Sequence, residues 1–238
     1  MTINDTLACP PDKNYTHPAI EDRFILAAEN AIRLAWIRLQ KKKSMNHVLT
    51  HGKEIEVTNK LQKELDHIRN NGTSPGYNDK TFERPHRGND LCNYDETHIE
   101  KQPDLIFYIS GTREEAIDSL HDGIFVECKV LDNGSRNIGL YATKGIHRFL
   151  TGDYAWRMPH ALMLGYVRTN QKLPDDLTSY FDKRGNKTKF CLITGIKRCT
   201  KTRKKPAVYV SSHCRKWQHT DSVKPGDIAI RHLWLDVY

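Results

Sequence analysis

The sequence predicts an α/β fold, in which a central mixed β-sheet is flanked by helices and preceded by a helical N-terminal extension. Two amphipathic helical patterns open the chain, and short β-rich apolar runs alternate with helical patterns in the remainder. The 238 residues are 38% hydrophobic and 28% charged, which is typical of a chain that folds around one sizeable core. We therefore expect one domain over residues 1–238, with the extension at 1–50, a core at 51–168 and a basic, strand-rich region at 183–217.

Two helices and a long loop are predicted before the first strand. Residues 19–43 carry apolar side chains at helical spacing, and Lys41–Lys43 suit the negative C-terminal end of a helix. Residues 53–72 repeat the pattern and end at Asn71-Gly72, a helix stop signal. The polar residues 73–101, rich in Gly, Pro, Asn and His, indicate a long loop or insertion, a kind of segment that is often functional.

Apolar runs with β-forming composition predict the strands of the sheet. They lie at 105–109, 123–131, 160–167, 189–197, 206–212 and 228–237, with helical segments between them at 137–150 and 175–184. Tyr154 and Trp156 are expected in the core, with a role as base-stacking platforms as the alternative.

Several classes of protein are disfavoured by the sequence. No apolar run approaches the roughly 18 residues of a membrane span, and the first residues lack the pattern of a secretory signal. The six cysteines are scattered without a C-x-x-C pair, which argues for reduced thiols and a cytoplasmic location. A zinc site is disfavoured because the candidate ligands lack paired spacing; these are Cys191, Cys199, His213, Cys214 and His219. Phosphate-binding glycine loops and the serine-hydrolase elbow are missing from the sequence.

Positive charge is concentrated in one part of the chain. The net charge is +8, yet residues 183–217 contain twelve Lys or Arg and no Asp or Glu, so the remainder sums to 8 − 12 = −4. Such a segment attracts polyanions, and we expect Arg203, Lys204 and Lys205 to contact a nucleic-acid backbone. A solvated lysine-rich loop is the alternative interpretation.

A carboxylate and a lysine lie two residues apart in the run 123–131. Alternation along a strand places Glu127 and Lys129 on one face and turns Cys128 to the other, which makes that thiol an unconvincing nucleophile. If the run 105–109 pairs with this strand in antiparallel fashion, Asp104 comes close to both charged groups. Two carboxylates and a lysine would suit a hard divalent cation such as Mg²⁺. An exposed Glu–Lys ion pair is the structural alternative.

The motif formed by Pro103-Asp104 and Glu127-Cys128-Lys129 resembles that of the PD-(D/E)xK nuclease superfamily, which has the restriction-endonuclease-like fold. The resemblance implies that Asp104 and Glu127 bind Mg²⁺, for which Mn²⁺ can substitute, with the Cys128 carbonyl as a further ligand. It implies that Lys129 orients or deprotonates the attacking water. The implied activity is endonucleolytic phosphodiester hydrolysis, with DNA as the favoured substrate and restriction or phage defence as the setting. A homodimer or a partner defence subunit is left open.

Members of that superfamily often supply another carboxylate from a helix before the hairpin. Glu54 is favoured for this role because it lies three residues before Val57, on the apolar face of the second helix. Glu56 stays open, since the start of the helix is not fixed by the sequence. Either residue could instead be an ordinary first-turn glutamate that complements the helix dipole.

Further nucleic-acid contacts are predicted after the motif. Lys144, His147 and Arg148 could face phosphate from the helix at 137–150, with a solvated helix face as the alternative. Ser212, His213 and Arg215 are candidates at the end of a strand, with a surface loop as the competing interpretation. The competing functions are a non-catalytic nucleic-acid-binding module or subunit on the same fold, and a regulatory scaffold.

Overall fold

The computed structural model describes residues 16–88, 90–111, 113, 116, 118–132, 134–201, 204–218 and 224–238, with the backbone alone at 134–136. The helices are α1 (Asp22–Lys41), α2 (Asn46–His51), α3 (Glu54–Asn70), α4 (Gly134–Tyr141), α5 (His147–Leu150), α6 (Asp175–Asp182) and α7 (Asn186–Lys189). The strands are β1 (Leu105–Phe107), β2 (Ile124–Leu131), β3 (His160–Val167), β4 (Leu192–Arg198), β5 (Val208–His213) and β6 (Ile228–Asp236). A π-helical turn, Ala142–Ile146, joins α4 to α5.

The six strands form one mixed sheet in the order β1-β2-β3-β6-β5-β4. Strands β2, β3 and β6 run parallel, whereas β1, β5 and β4 each pair with a neighbour in antiparallel fashion. The predicted fold class is confirmed, including the N-terminal helical region, and the first two strands pair in antiparallel fashion. Strand β4 lies four positions from β2, which at the usual strand spacing is roughly 19 Å. The basic hairpin β4–β5 is therefore at the opposite edge of the sheet from the Glu127 strand.

Helices cover both faces of the sheet. On one face the Trp36 ring of α1 stacks on Tyr166 of β3 at 5.3 Å, and the Thr58 hydroxyl of α3 lies 3.1 Å from the Tyr166 hydroxyl. On the other face α4 and the π-helical turn pack through Tyr141 and Gly145. Strand β3 is buried along its whole length, as expected for a parallel strand covered on both sides.

The loop between α3 and β1 runs along the outer edge of β1. Its described residues form only isolated bridges, in agreement with the predicted long loop. His86 and Ile106 exchange two backbone hydrogen bonds of 3.0 and 2.9 Å, and the rings of Tyr77 and Phe82 are fully buried beneath the loop. The loop thus covers backbone groups that an edge strand would otherwise leave unpaired.

The expectation of reduced thiols is wrong for one pair of cysteines. Cys191 and Cys214 form a disulfide, with Cα atoms 5.2 Å apart. The adjoining residues Leu192 and His213 are partners in the β4–β5 ladder, and this pairing brings together two cysteines that are 23 positions apart in sequence. Among the described residues, Cys92, Cys128 and Cys199 are free thiols. In the part of the chain that the structure describes, the helices are all too short or too polar to cross a membrane.

Candidate active site

Carboxylate side chains lie together at the edge of β2, just beyond the end of β1. Strand β1 begins at Leu105, which lies opposite Val126, so Asp104 comes opposite Glu127. The next backbone N–H groups on this edge of β2, those of Cys128 and Val130, lie beyond the end of β1 and have no strand to pair with among the described residues. Cys128 N–H donates to Asp104 Oδ2 at 2.8 Å, and Val130 N–H donates to Glu54 Oε2 at 3.0 Å. Side-chain carboxylates thus replace the missing strand as hydrogen-bond acceptors.

The Lys129 ammonium lies among these carboxylates. Its Nζ atom is 2.8 Å from Glu127 Oε1, 2.9 Å from Glu54 Oε1 and 4.0 Å from Asp104 Oδ2. It also donates to the Cys128 carbonyl at 2.7 Å. We call Glu54, Asp104, Glu127 and Lys129 the carboxylate–lysine cluster. The structure brings together all four residues that the sequence predicted at the catalytic centre. The Cys128 carbonyl, which was predicted as a further ligand, contacts the same Lys129 ammonium.

Burial and like charge shift the pKa values in the cluster. Burial raises the pKa of Glu127 to about 7, with the Asp104 carboxylate adding to the rise and Lys129 opposing it. For Lys129, burial alone would lower the pKa, but the carboxylates of Glu127, Glu54 and Asp104 outweigh it and raise the pKa above its usual value. The lysine therefore acts as a hydrogen-bond donor here, and the carboxylates disfavour its use as a proton acceptor.

Glu127 is held from its other side by residues of the segment that follows β2. The Tyr154 hydroxyl donates to Glu127 Oε2, and Arg148 Nη1 lies 3.6 Å from Glu127 Oε1. Burial raises the pKa of the Tyr154 hydroxyl, which therefore keeps its proton and donates. Tyr154 is in the core as predicted, but its hydrogen bond to the cluster was missed. A buried tyrosine usually needs a polar partner, and that was the available signal.

The π-helical turn brings its backbone close to Glu127. A Cβ atom on Gly145 would overlap the methyl group of Met163 and lie 3.6 Å from Glu127 Cγ. Glycine at this position therefore permits the close approach of helix and sheet. Such π turns are frequent near functional sites.

The start of α3 decides between the two glutamates. Glu54 reaches the β2 edge, whereas the Glu56 carboxylate accepts from the backbone N–H of Lys53 at 2.6 Å and caps its own helix. Arg168 fixes the turn before α3 by donating to the carbonyls of Leu49 at 2.8 Å and Gly52 at 2.5 Å. Glu54 thus belongs to the cluster and Glu56 does not.

Other predicted contacts are not brought to the cluster. His213 is wholly buried and bonded to Phe190 O and Ser211 Oγ, so the prediction that it contacts phosphate is wrong. The Arg215 prediction is also wrong, because its guanidinium is buried and donates to the carbonyls of Gly226, Ala155 and Trp156. Ser212 lies in the β4–β5 ladder, at the far edge of the sheet.

The remaining cationic candidates differ in position. Arg148 borders the cluster through Glu127, while Lys144 is exposed on the π-helical turn. Lys204 and Lys205 are exposed between β4 and β5, across the sheet from the cluster. Arg203 lies outside the described residues.

A cleft of about 490 Å³ opens beside the cluster. Its walls are the first turns of α3 and the loop before β1, and Glu54 and Asp104 border it. This volume falls within the range of about 300–1,000 Å³ that is typical of ligand clefts.

The cluster contains the types of oxygen donor that a hard divalent cation prefers, but these donors surround a lysine. Among the described residues, no group of three or more His, Cys, Asp or Glu has its donor atoms placed to hold a metal ion. The carboxylate oxygens instead surround the Lys129 ammonium. Three carboxylates and a carbonyl are nonetheless the oxygen ligands that Mg²⁺ prefers, and they already converge on one positive charge. The residues present therefore match Mg²⁺ in ligand type, and they would hold the ion only after the Lys129 ammonium withdraws from among them.

Comparison of the chain with protein-family models, curated proteins and solved structures gives no match.

Proposed function

We propose that this protein is a metal-dependent endonuclease that hydrolyses phosphodiester bonds of nucleic acid, with DNA as the substrate. The observation that carries the proposal is the convergence of Asp104, Glu127, Glu54 and Lys129 at the edge of β2. Mutually repelling carboxylates around one lysine cost stability, and such arrangements cluster at functional sites. A cytoplasmic role in restriction or phage defence is part of the proposal, by analogy with the superfamily that the motif resembles.

The residues of the cluster have distinct roles in this proposal. The carboxylates of Asp104, Glu127 and Glu54, with the Cys128 carbonyl, would hold Mg²⁺, which supplies Lewis-acid polarisation of a phosphate oxygen. Lys129 orients the attacking water and stabilises negative charge on the phosphate through its N–H donors. Tyr154 and Arg148 keep the Glu127 carboxylate in place.

A second candidate is a non-catalytic nucleic-acid-binding module. The observation that favours it is the position of the Lys129 ammonium, which already neutralises the carboxylates among which a metal would bind. This candidate predicts that the protein binds DNA but does not cleave it, whichever divalent metal ion is added.

The test is cleavage of supercoiled plasmid, single-stranded DNA and RNA by the purified full chain, with Mg²⁺, Mn²⁺ or EDTA. We expect metal-dependent cutting, and a loss of at least about 100-fold in rate for Asp104→Asn, Lys129→Met and Glu54→Gln, since each removes either a proposed metal ligand or the lysine that acts on the water and the phosphate. Glu56→Gln is the matched control: it makes the same chemical change two residues along the helix from Glu54, outside the cluster, and should retain near-normal cleavage.

Two results would contradict the proposal. Binding of DNA that stays intact with every metal would favour the binding module. Cutting that persists in Asp104→Asn and Glu54→Gln would place the active centre elsewhere in the chain.

A further inference from the structure

One positively charged side chain, that of Arg87, lines the cleft beside the carboxylate–lysine cluster. The cleft is lined by charged and amide side chains together with Ile55, Gly88 and Pro103; the polar ones are Glu54, Asn59, Gln62, Arg87, Gln102 and Asp104. Among these described lining residues Arg87 is the only positive charge, and both negative charges belong to the cluster.

Arg87 is fixed to the same turn of α3 that carries Glu54. Its Nη1 atom donates to the Ile55 carbonyl at 3.3 Å and to Asn59 Oδ1. The backbone just before it is anchored by the paired hydrogen bonds between His86 and Ile106. The guanidinium is therefore held at a fixed position relative to Glu54, as a substrate-positioning group must be.

The guanidinium keeps a donor that is not used. Arg87 Nε is buried and has no hydrogen-bond partner among the described residues. A buried donor without an acceptor is unfavourable, and a substrate oxyanion would supply the acceptor that the described residues do not. The planar donors of arginine match phosphate oxygens in geometry and charge.

We propose that Arg87 binds a phosphate of the substrate strand next to the scissile one, in the cleft between α3 and the loop before β1. This inference rests on the proposed nuclease function and extends it by naming the path of the strand. A phosphodiester beside Glu54 and Asp104 would be repelled by both carboxylates, and Arg87 offsets this repulsion on the cleft side. Arg87 is thus a positioning residue, whereas the groups that act on the reacting phosphate remain in the cluster.

The chain offers a matched control in Arg84, three residues earlier in the same loop. The Arg84 side chain is 74% exposed and pairs with Asp66 at 3.2 Å, and it does not line the cleft. Arg84→Gln and Arg87→Gln therefore remove the same charge from the same loop at two different places.

The experiment measures binding and cleavage of a short labelled DNA duplex and of its single strand by the full chain. Binding is followed in EDTA over a series of salt concentrations, and cleavage is followed with Mg²⁺. We expect Arg87→Gln to weaken binding about 10-fold and to reduce the slope of log K against log salt by about 1. KM should rise more than kcat falls, and Arg87→Lys should restore the salt slope because it keeps the charge. Arg84→Gln should change affinity less than about 2-fold.

Each contrary outcome identifies what has failed. Cleavage that is as insensitive to Arg87→Gln as to Arg84→Gln overturns this inference and leaves the nuclease proposal standing. A binding loss accompanied by a matching drop in Tm, with the salt slope unchanged, shows a structural role and also overturns the inference. Binding that depends on Arg87 without any cleavage overturns the nuclease proposal alone. If the wild-type chain does not bind either DNA, both ideas fail.

Discussion

Two groups of polar residues in this protein are built in opposite ways. The carboxylate–lysine cluster sits at the β2 edge beside an open cleft. The second, which we call the histidine network, consists of Tyr141, His232, Ser211 and His213, and it is enclosed between α4 and strands β5 and β6.

The histidine network is closed and neutral. Phe190 O can only accept, so His213 Nδ1–H donates to it at 2.8 Å. The Ser211 hydroxyl then donates to His213 Nε2 at 2.7 Å and accepts from His232 Nε2–H at 2.8 Å. Tyr141 completes the chain by donating to His232 Nδ1 at 2.9 Å. One assignment of tautomers thus satisfies every member without any charge.

The comparison separates polar groups that stabilise the fold from polar groups that are available for chemistry. In the histidine network each donor meets a neutral acceptor, and burial lowers the pKa of His213 to about 4 and that of His232 to about 3. In the carboxylate–lysine cluster, three acidic side chains surround one lysine at a partly open edge, and Arg148 is a further cation beside Glu127. Unbalanced charge beside a cleft, rather than the number of polar side chains, marks the candidate site.

Acidification should have the largest effect, because it protonates buried histidines, two of which belong to the histidine network. Burial lowers the pKa of His213, His232 and His160 below the ordinary value of 6.5, to about 4, 3 and 4. The unfolded chain therefore binds more protons than the folded chain below pH 6.5, and stability present above that pH is lost as the pH falls toward 4. We expect Tm in metal-free buffer to drop steeply over this interval. A Tm that stays constant between pH 7 and pH 4.5 would show that these histidines bind protons as readily in the folded chain as in the unfolded chain.

Removing one member of the histidine network should come next in size. His232→Leu removes one of the two partners of the Ser211 hydroxyl and the close acceptor of the buried Tyr141 hydroxyl, and we expect the free energy of unfolding to fall by about 3 kcal/mol. Urea denaturation measures the change, and cleavage per folded molecule should stay near normal. His98→Leu is the control, because that side chain is 55% exposed and should change stability by less than about 0.5 kcal/mol. If the two substitutions lowered the free energy of unfolding equally, the histidine network would be no more important for stability than an exposed histidine.

Removing the lysine of the carboxylate–lysine cluster should lower the stability of the fold less than His232→Leu does, and it should lower the rate of cleavage far more. Lys129→Met leaves Glu127, Glu54 and Asp104 facing one another, and we expect a loss of about 2 kcal/mol, reduced by the partial exposure of Glu54 and Asp104. Adding Glu127→Gln should restore part of this loss without restoring cleavage. Urea denaturation of the single and double variants measures both effects. A double variant no more stable than Lys129→Met would show that repulsion between carboxylates is not the cause.

The helices and strands of this protein were largely predictable because their signals are local. Helical spacing located α1 and α3, and an uninterrupted apolar run gave the bounds of β3 as 160–167. The approach of Asp104 to Glu127 and Lys129 was also predictable, since strand alternation and one antiparallel pairing are sufficient to produce it.

Only the tertiary structure decided which polar residues are buried, paired or exposed. The sequence could not show that β5 and β4 lie at the far edge of the sheet, where His213 is enclosed and Cys191 meets Cys214. Nor could it show that the loop before β1 carries Arg87 into the cleft or that Glu56 caps its own helix. Strand order, register and loop path depend on contacts between residues far apart in the chain, and periodicity within one segment contains no information about its distant partners.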